Sequence, residues 1–272
     1  MIDSFSYACP YRHKHGFTLI ELAIVLIVLG LLAGGVVTAK DMIYTAKLRK
    51  IPVAIEDVKQ KMFVFYDKYN ALPGDFTLAT NYWGADPDGC PTHSNRTAKA
   101  QTCNGNGDGR VARLNLGTDY ELFRFWQHLK NAGLADGSFT GVSGVGNSTH
   151  AVVGENIPII YDNIGISAYW REPTVNDGAF VDFDYGNVLV IGRTQDDSEN
   201  AKAFLTPEDA WSLDSKIDDG LPNHGDFLGI FYFNCSTANS GDSDNFNANY
   251  DMFQTEPQCA IYIQNAFPDN RR

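Results

Sequence analysis

The sequence predicts an α+β fold in which a long N-terminal membrane-spanning helix packs on a loop-rich, mainly antiparallel β head held by two disulfides. Three observations predict it. The stretch from Phe17 to Ala39 is apolar and carries a single charge, Glu21. Residues 40–70 carry an apolar stripe at helical spacing. Beyond residue 70, short runs rich in β-branched and aromatic residues alternate with Gly, Asn and Asp turns. At 272 residues and 44% hydrophobic, the chain can bury one good-sized core plus a helical extension. Its formal net charge of -12 argues against binding a nucleic-acid backbone, which needs clustered Lys and Arg, so no nucleic-acid partner is expected.

The chain divides into a leader (1–16), a transmembrane and assembly helix (17–39), an amphipathic helix continuing into the head (40–70) and a globular head (71–272). The apolar run from Phe17 matches the ~20 residues that cross a ~30 Å hydrocarbon core. A short polar leader with Arg12, His13, Lys14 and His15 precedes it. An ordinary secretory signal has a shorter apolar region, and Val37-Thr38-Ala39 offers only a weak cleavage site. A plain anchor explains the length but not Glu21, because a carboxylate at the bilayer centre costs ~2.5–3.5 kcal/mol. Cleavage between Gly16 and Phe17 would supply a partner. The new amine on Phe17 is cationic at neutral pH and lies four residues from Glu21, so ~6 Å of helix rise. The two charges can neutralise each other within a chain or between adjacent chains.

The run G-F-T-L-I-E-L from Gly16 to Leu22, with basic residues before it and an unbroken apolar helix after it, resembles the signal of type IV prepilins and type II secretion pseudopilins. The resemblance implies a pilin-like fold, cleavage and N-methylation at Phe17 by a prepilin peptidase, and Glu21 as the assembly glutamate. Implied partners are identical or related pilin subunits, an inner-membrane assembly platform and membrane lipid. The implied location is the bacterial inner membrane, single-pass with a periplasmic head, and then a pilus or pseudopilus. One position departs from the pattern: many members have proline where this chain has Thr38, although Gly30, Gly34 and Gly35 could loosen the helix instead. Lys40, Lys47, Arg49 and Lys50 follow the span closely, so charge bias alone does not set the orientation.

After the span, Tyr44, Leu48, Ile51, Ile55, Val58, Met62, Phe65 and Tyr69 recur at spacings of four and three, one apolar stripe on a helix. Pro52 should disturb that helix nearby, and Leu72-Pro73-Gly74 should end it. Residues 77–116 read mostly as loop. A second helix is expected from Asp119 to Ala132, capped by Asp119 and closed by Gly133. Strands are expected at Ile157–Tyr161, Phe180–Phe183, Val188–Ile191, Phe227–Phe233 and Ala260–Ile263. Between the last pairs, Thr206, Pro207 and Glu208-Asp209 mark the start of a helix to Ile217.

Cys90, Cys103, Cys235 and Cys259 form two sequence-local pairs without metal-site spacing. On an exported chain they suggest the disulfides Cys90–Cys103 and Cys235–Cys259, although four cysteines allow three connectivities. The stretch CNGNGDGRVARLN, Cys103 to Asn115, resembles a calcium loop. Asn104, Asn106 and Asp108 alternate, Arg110 could offer its carbonyl, and Asn115 takes the place where calcium prefers a bidentate acid, with Glu121 able to compensate. The alternative is a Gly/Asn turn pinned by the adjacent disulfide. Gly241 to Asp251 is a vaguer acidic candidate, more in keeping with a solvated loop. Catalysis finds no support. His93, His150 and His224 have no motif-bearing partner, His128 reads as a partly buried or surface helix residue, and GVSGVG around Ser143 lacks the frames of a nucleophile elbow or a dinucleotide loop. Trp83, Trp126, Trp170 and Trp211 read as core. The sequence therefore points to a structural subunit, with a membrane-anchored binding protein or minor tip adhesin, its head recognising calcium or glycan, as the alternative.

Overall fold

The computed structural model describes residues 16–91, 97–113, 121–146, 149–172, 184–230, 234–238 and 248–268. The chain separates into two compact units, one ending at Lys47 and the other starting at Leu48.

The first unit consists, among the described residues, mainly of helix α1, Leu19–Leu48, whose last residue already belongs to the second unit; the helix buries none of its residues. Its apolar stretch is long enough to cross a membrane. The helix runs unbroken through Gly30, Gly34, Gly35 and Thr38. Thr38 donates its hydroxyl to the Gly34 carbonyl at 3.3 Å, so a residue that favours caps elsewhere is accommodated by bonding back one turn.

The second unit opens with α2, Lys50–Tyr69. The break at Arg49 has a local cause. Pro52 has no N–H to offer the carbonyl of Leu48, and its ring crowds that carbonyl, four residues back. Five stripe residues, Ile51, Ile55, Val58, Met62 and Phe65, are buried. The upper end of the expected stripe holds as well, with Tyr69 packed on the core, but Tyr44 lies exposed in the first unit. Asn70 ends α2 in a left-handed conformation and donates its N–H to Tyr66.

A short helix α3, Ala79–Trp83, interrupts what read as loop. Helix α4, Glu121–Asn131, is buried from Glu121 through Leu129. The expected cap Asp119 lies outside the described residues. Gly133 (φ 76°) ends α4 as expected, and Leu134 then bonds back to the Leu129 carbonyl. One antiparallel sheet follows, built from β1 (Ile159–Tyr161), β2 (Ile164–Arg171), β3 (Gly186–Arg193), β4 (Phe227–Ile230) and β5 (Ala260–Ile263), in the order β1-β2-β3-β5-β4. Helix α5, Pro207–Ile217, lies between β3 and β4 in sequence. Its cap is the expected Thr206, which accepts the Asp209 N–H.

Strand β2 was not anticipated. It pairs with β3 over its whole length, from Ile164↔Arg193 to Arg171↔Gly186. Its run IGISAYWR is buried almost throughout, so no alternation of polar and apolar residues announces it. The expected strand at Phe180–Phe183 and the end of β4 beyond Ile230 lie outside the described residues. Both expected disulfides form, Cys90–Cys103 and Cys235–Cys259, with Cα separations of 5.9 and 5.0 Å.

Two expectations about single residues change. His128 is fully buried, not at the surface. Its Nδ1 accepts the Gly74 N–H at 3.0 Å, while Nε2 lies 3.1 Å from Thr102 Oγ1 and 3.2 Å from the Cys103 carbonyl. Burial, with Arg124 nearby, pushes its pKa down to about 3, so a neutral ring pins the Pro73-Gly74 turn and the disulfide segment to α4. Trp211 is 46% exposed, whereas Trp126 and Trp170 are core residues.

Candidate functional site

The first site is the start of α1. Phe17 is exposed, and Thr18 stands one residue ahead of the helix. Glu21 accepts the Thr18 N–H and the Thr18 hydroxyl, both at 2.8 Å, and the Glu21 N–H lies 3.3 Å from Thr18 Oγ1. This is a reciprocal capping box, in which a hydroxyl residue and a glutamate three positions on satisfy each other's backbone donors. Its signature, T-L-I-E, stands in the sequence. The carboxylate left unexplained in an apolar run therefore has an intrachain partner in Thr18.

The second site belongs to the head, where three segments bring carboxylates together. Asp75 follows the turn that ends α2, Asp108 lies in the Gly/Asn loop, and Glu121 opens α4. One oxygen from each lies within 4.8 Å of the others. The loop wraps around these acids by giving them its backbone N–H groups. Asp75 takes the N–H groups of Gly107 and Gly109, the latter at 2.8 Å. Glu121 takes those of Asn106 at 2.9 Å and Ala112 at 2.8 Å. Asp108 folds back on its own loop, accepting from Arg110 at 2.9 Å and from the Asn106 amide at 3.2 Å. The approach tolerates only glycine at Gly105, where a Cβ would fall 2.3 Å from the Asp75 Cα.

Burial and charge conflict here. Asp75 is 3% exposed and Glu121 fully buried, while Asp108 is exposed. Desolvation, reinforced by the neighbouring acids and offset in part by the backbone donors, pushes Asp75 up to about 6 and Glu121 up to about 8. Yet both Glu121 oxygens accept N–H groups, the geometry of an ionised carboxylate. A hard cation would resolve the conflict, because the donor set is all oxygen and a bound charge favours the ionised form.

The expected calcium ligands are only partly gathered. Asp108 belongs to the cluster, and Glu121 joins it as the compensating acid. The Asn104 amide oxygen instead accepts the Thr80 N–H at 2.8 Å, bracing α3. The Asn106 oxygen accepts the Asp108 N–H at 2.9 Å. The Arg110 guanidinium stacks 4.4 Å over Trp170, and Asn115 lies outside the described residues. Asp75 was missed, since an acid directly after Pro73-Gly74 reads as part of a helix stop; its position beside the loop depends on tertiary packing.

A second acidic group, Asp214, Asp218 and Asp219, closes the loop after α5. Asp214 accepts the Tyr250 hydroxyl at 2.8 Å, and Asp219 pairs with His224. The acidic candidate Gly241 to Asp251 lies largely outside the described residues, with Tyr250 as its link to this group.

Residues 11–37 match the family model described as the prokaryotic N-terminal methylation motif. The chain thus carries the type IV prepilin and pseudopilin signature on an apolar helix followed by an α+β head with two disulfides. Comparison with curated proteins and with solved structures gives no match.

Proposed function

We propose that the protein is a structural subunit of a type IV pilus or a type II secretion pseudopilus. A prepilin peptidase cleaves it after Gly16 and methylates Phe17; it then polymerises with identical or related subunits through α1, with its head outside the cytoplasm. The observation that carries the reading is the methylation motif placed on a helix that buries nothing within its own chain. Such a helix needs lipid or other helices around it. In this reading cleavage gives Glu21 a second partner, the Phe17 amine of a neighbour, in competition with Thr18. Mass spectrometry of the mature protein tests processing: N-methyl-phenylalanine at Phe17 supports it, and a terminus near Lys40 contradicts it. Glu21→Val should leave cleavage intact and block incorporation into filaments. Normal assembly of that variant would defeat the charge-pair mechanism.

A second reading is favoured by the carboxylate cluster. Here the protein is a membrane-anchored binding protein or minor tip adhesin, and its head holds Ca2+ between Asp75, Asp108 and Glu121. The two readings are compatible, since a cation would brace the loop of an assembled head as well. Ca2+ titration of the full-length protein in detergent, followed by calorimetry, separates a specific site from none.

A further inference from the structure

A cavity of about 200 Å³ opens at the C-terminal end of α2, lined by residues that include Tyr66, Asn70, Leu72, Asp75 and Thr77. Asp75 is the charged residue of its wall. Its nearest charged neighbours in the cluster are acids, and among the described residues no basic side chain pairs with it. The carbonyl end of α2 adds negative potential on the same side. Lys68, in the last turn of α2, lies 5.0 Å over the Tyr69 ring. Among the described residues, the cavity therefore offers a buried acid with no cation beside it.

The opposite end of α2 has the complementary defect. Arg49 and Lys50 are exposed, and among the described residues neither has an acidic partner. Further along the helix, Lys59 pairs with Glu56 at 3.3 Å and Lys61 with Asp57 at 2.5 Å. The 20 residues of α2 separate the two ends by ~30 Å, a span no side chain bridges. One chain cannot pair these charges with each other.

We propose that Lys50 of one copy of this chain seats its ammonium on Asp75 in the cavity of a second copy, with Arg49 beside the exposed Asp108 at the rim. An unbranched stem with a compact charged tip suits this cavity, whose lining residues Tyr66, Leu72 and Thr77 would flank the stem. Donor and acceptor patches lie at different ends of the same helix, so the contact is heterologous. After one contact each copy keeps one unused patch, so the pair has one at each end, and the contact repeats into an open array with successive copies offset by ~30 Å along α2. The inference rests on the reading of the protein as a polymerising subunit and assigns that subunit a specific contact between heads. A divalent cation on the cluster competes with the ammonium for Asp75.

The experiment mixes isotope-labelled and unlabelled full-length protein in EDTA, treats the assembly with a carbodiimide that joins carboxylate to amine without a spacer, and maps the joined peptides by mass spectrometry. An Asp75–Lys50 amide between labelled and unlabelled chains is expected. The double variant Arg49→Gln/Lys50→Gln, at exposed positions, should lower the yield of joined dimers about ten-fold. Ala71→Met, which fills the cavity and leaves Asp75 in place, should do the same. Undiminished dimers in both variants, with head melting unchanged, overturn the contact, as does joining of Asp75 only to other lysines. Association of the wild type that Glu21→Val abolishes, but without the Asp75–Lys50 amide, sinks this contact alone. A wild type that does not associate at all sinks the polymer reading itself.

Discussion

Glu121 accepts the N–H of Asn106 with one carboxyl oxygen and that of Ala112 with the other, so a single buried side chain at the start of α4 closes both ends of the Gly/Asn loop. The loop owes its shape to an acid that burial discourages from ionising. Four consequences can be measured.

The first concerns pH. Glu121 has a folded pKa raised from 4.5 to about 8, and Asp214 is raised from 3.8 to about 7 by burial. Between pH 6.5 and 8 the folded state thus holds protons that the unfolded state has released, and stability falls as pH rises. His128, lowered from 6.5 to about 3, works in the opposite direction but only below pH 6.5. Urea denaturation in EDTA across pH 6.5 to 8 should show declining stability. Glu121→Gln should reduce that decline to the part Asp214 contributes, because the amide does not titrate.

The second concerns cations. With Ca2+ in ~100-fold excess over its dissociation constant, the head should gain about 2.7 kcal/mol. The gain should rise with pH, because binding displaces the Glu121 proton. Asp108→Asn, at an exposed position, should reduce the gain without unfolding the head. Identical melting curves in Ca2+ and EDTA would remove the cation reading.

The third tests the histidine pin. His128→Leu keeps apolar volume but leaves the Gly74 N–H and the Cys103 carbonyl without the imidazole that joins them. The expected loss is about 2–4 kcal/mol by chemical denaturation. A neutral result would mean that this turn is held by other contacts.

The fourth concerns the Cys90–Cys103 bridge, which closes a loop with a sequence separation of 13 residues. Replacing both cysteines by serine should cost about 3 kcal/mol. It should also weaken any Ca2+ response, since Cys103 adjoins the loop that carries Asp108.

Much of this architecture is local enough to read in the chain. The α2 stripe follows from spacings of three and four, and the α5 cap follows from Thr206 and Pro207, because both depend on neighbours within one turn. Helix α3 and strand β2 were not legible for the converse reason. In α3, five residues are too few to show a period. In β2, Gly165, Ser167 and Ala168 dilute the apolar signal, and the strand owes its form to β3, whose partners run from Gly186 opposite Arg171 to Arg193 opposite Ile164, well outside any local motif. The carboxylate site divides in the same way. The Asn/Gly/Asp spacing exposed Asp108 and hinted at Glu121. Asp75 arrives through a hydrogen-bond partnership with Gly107 and Gly109 that no short motif encodes.

Helix α1 fully buries none of its side chains within its own chain, and each large aliphatic one exposed to water costs about 1.5–3 kcal/mol. A subunit leaving the bilayer would therefore have no affordable aqueous stop along the way. In the proposed assembly, departure from lipid and arrival against another helix would be one continuous movement, and machinery that lifts such a chain would have to work where the growing end already waits.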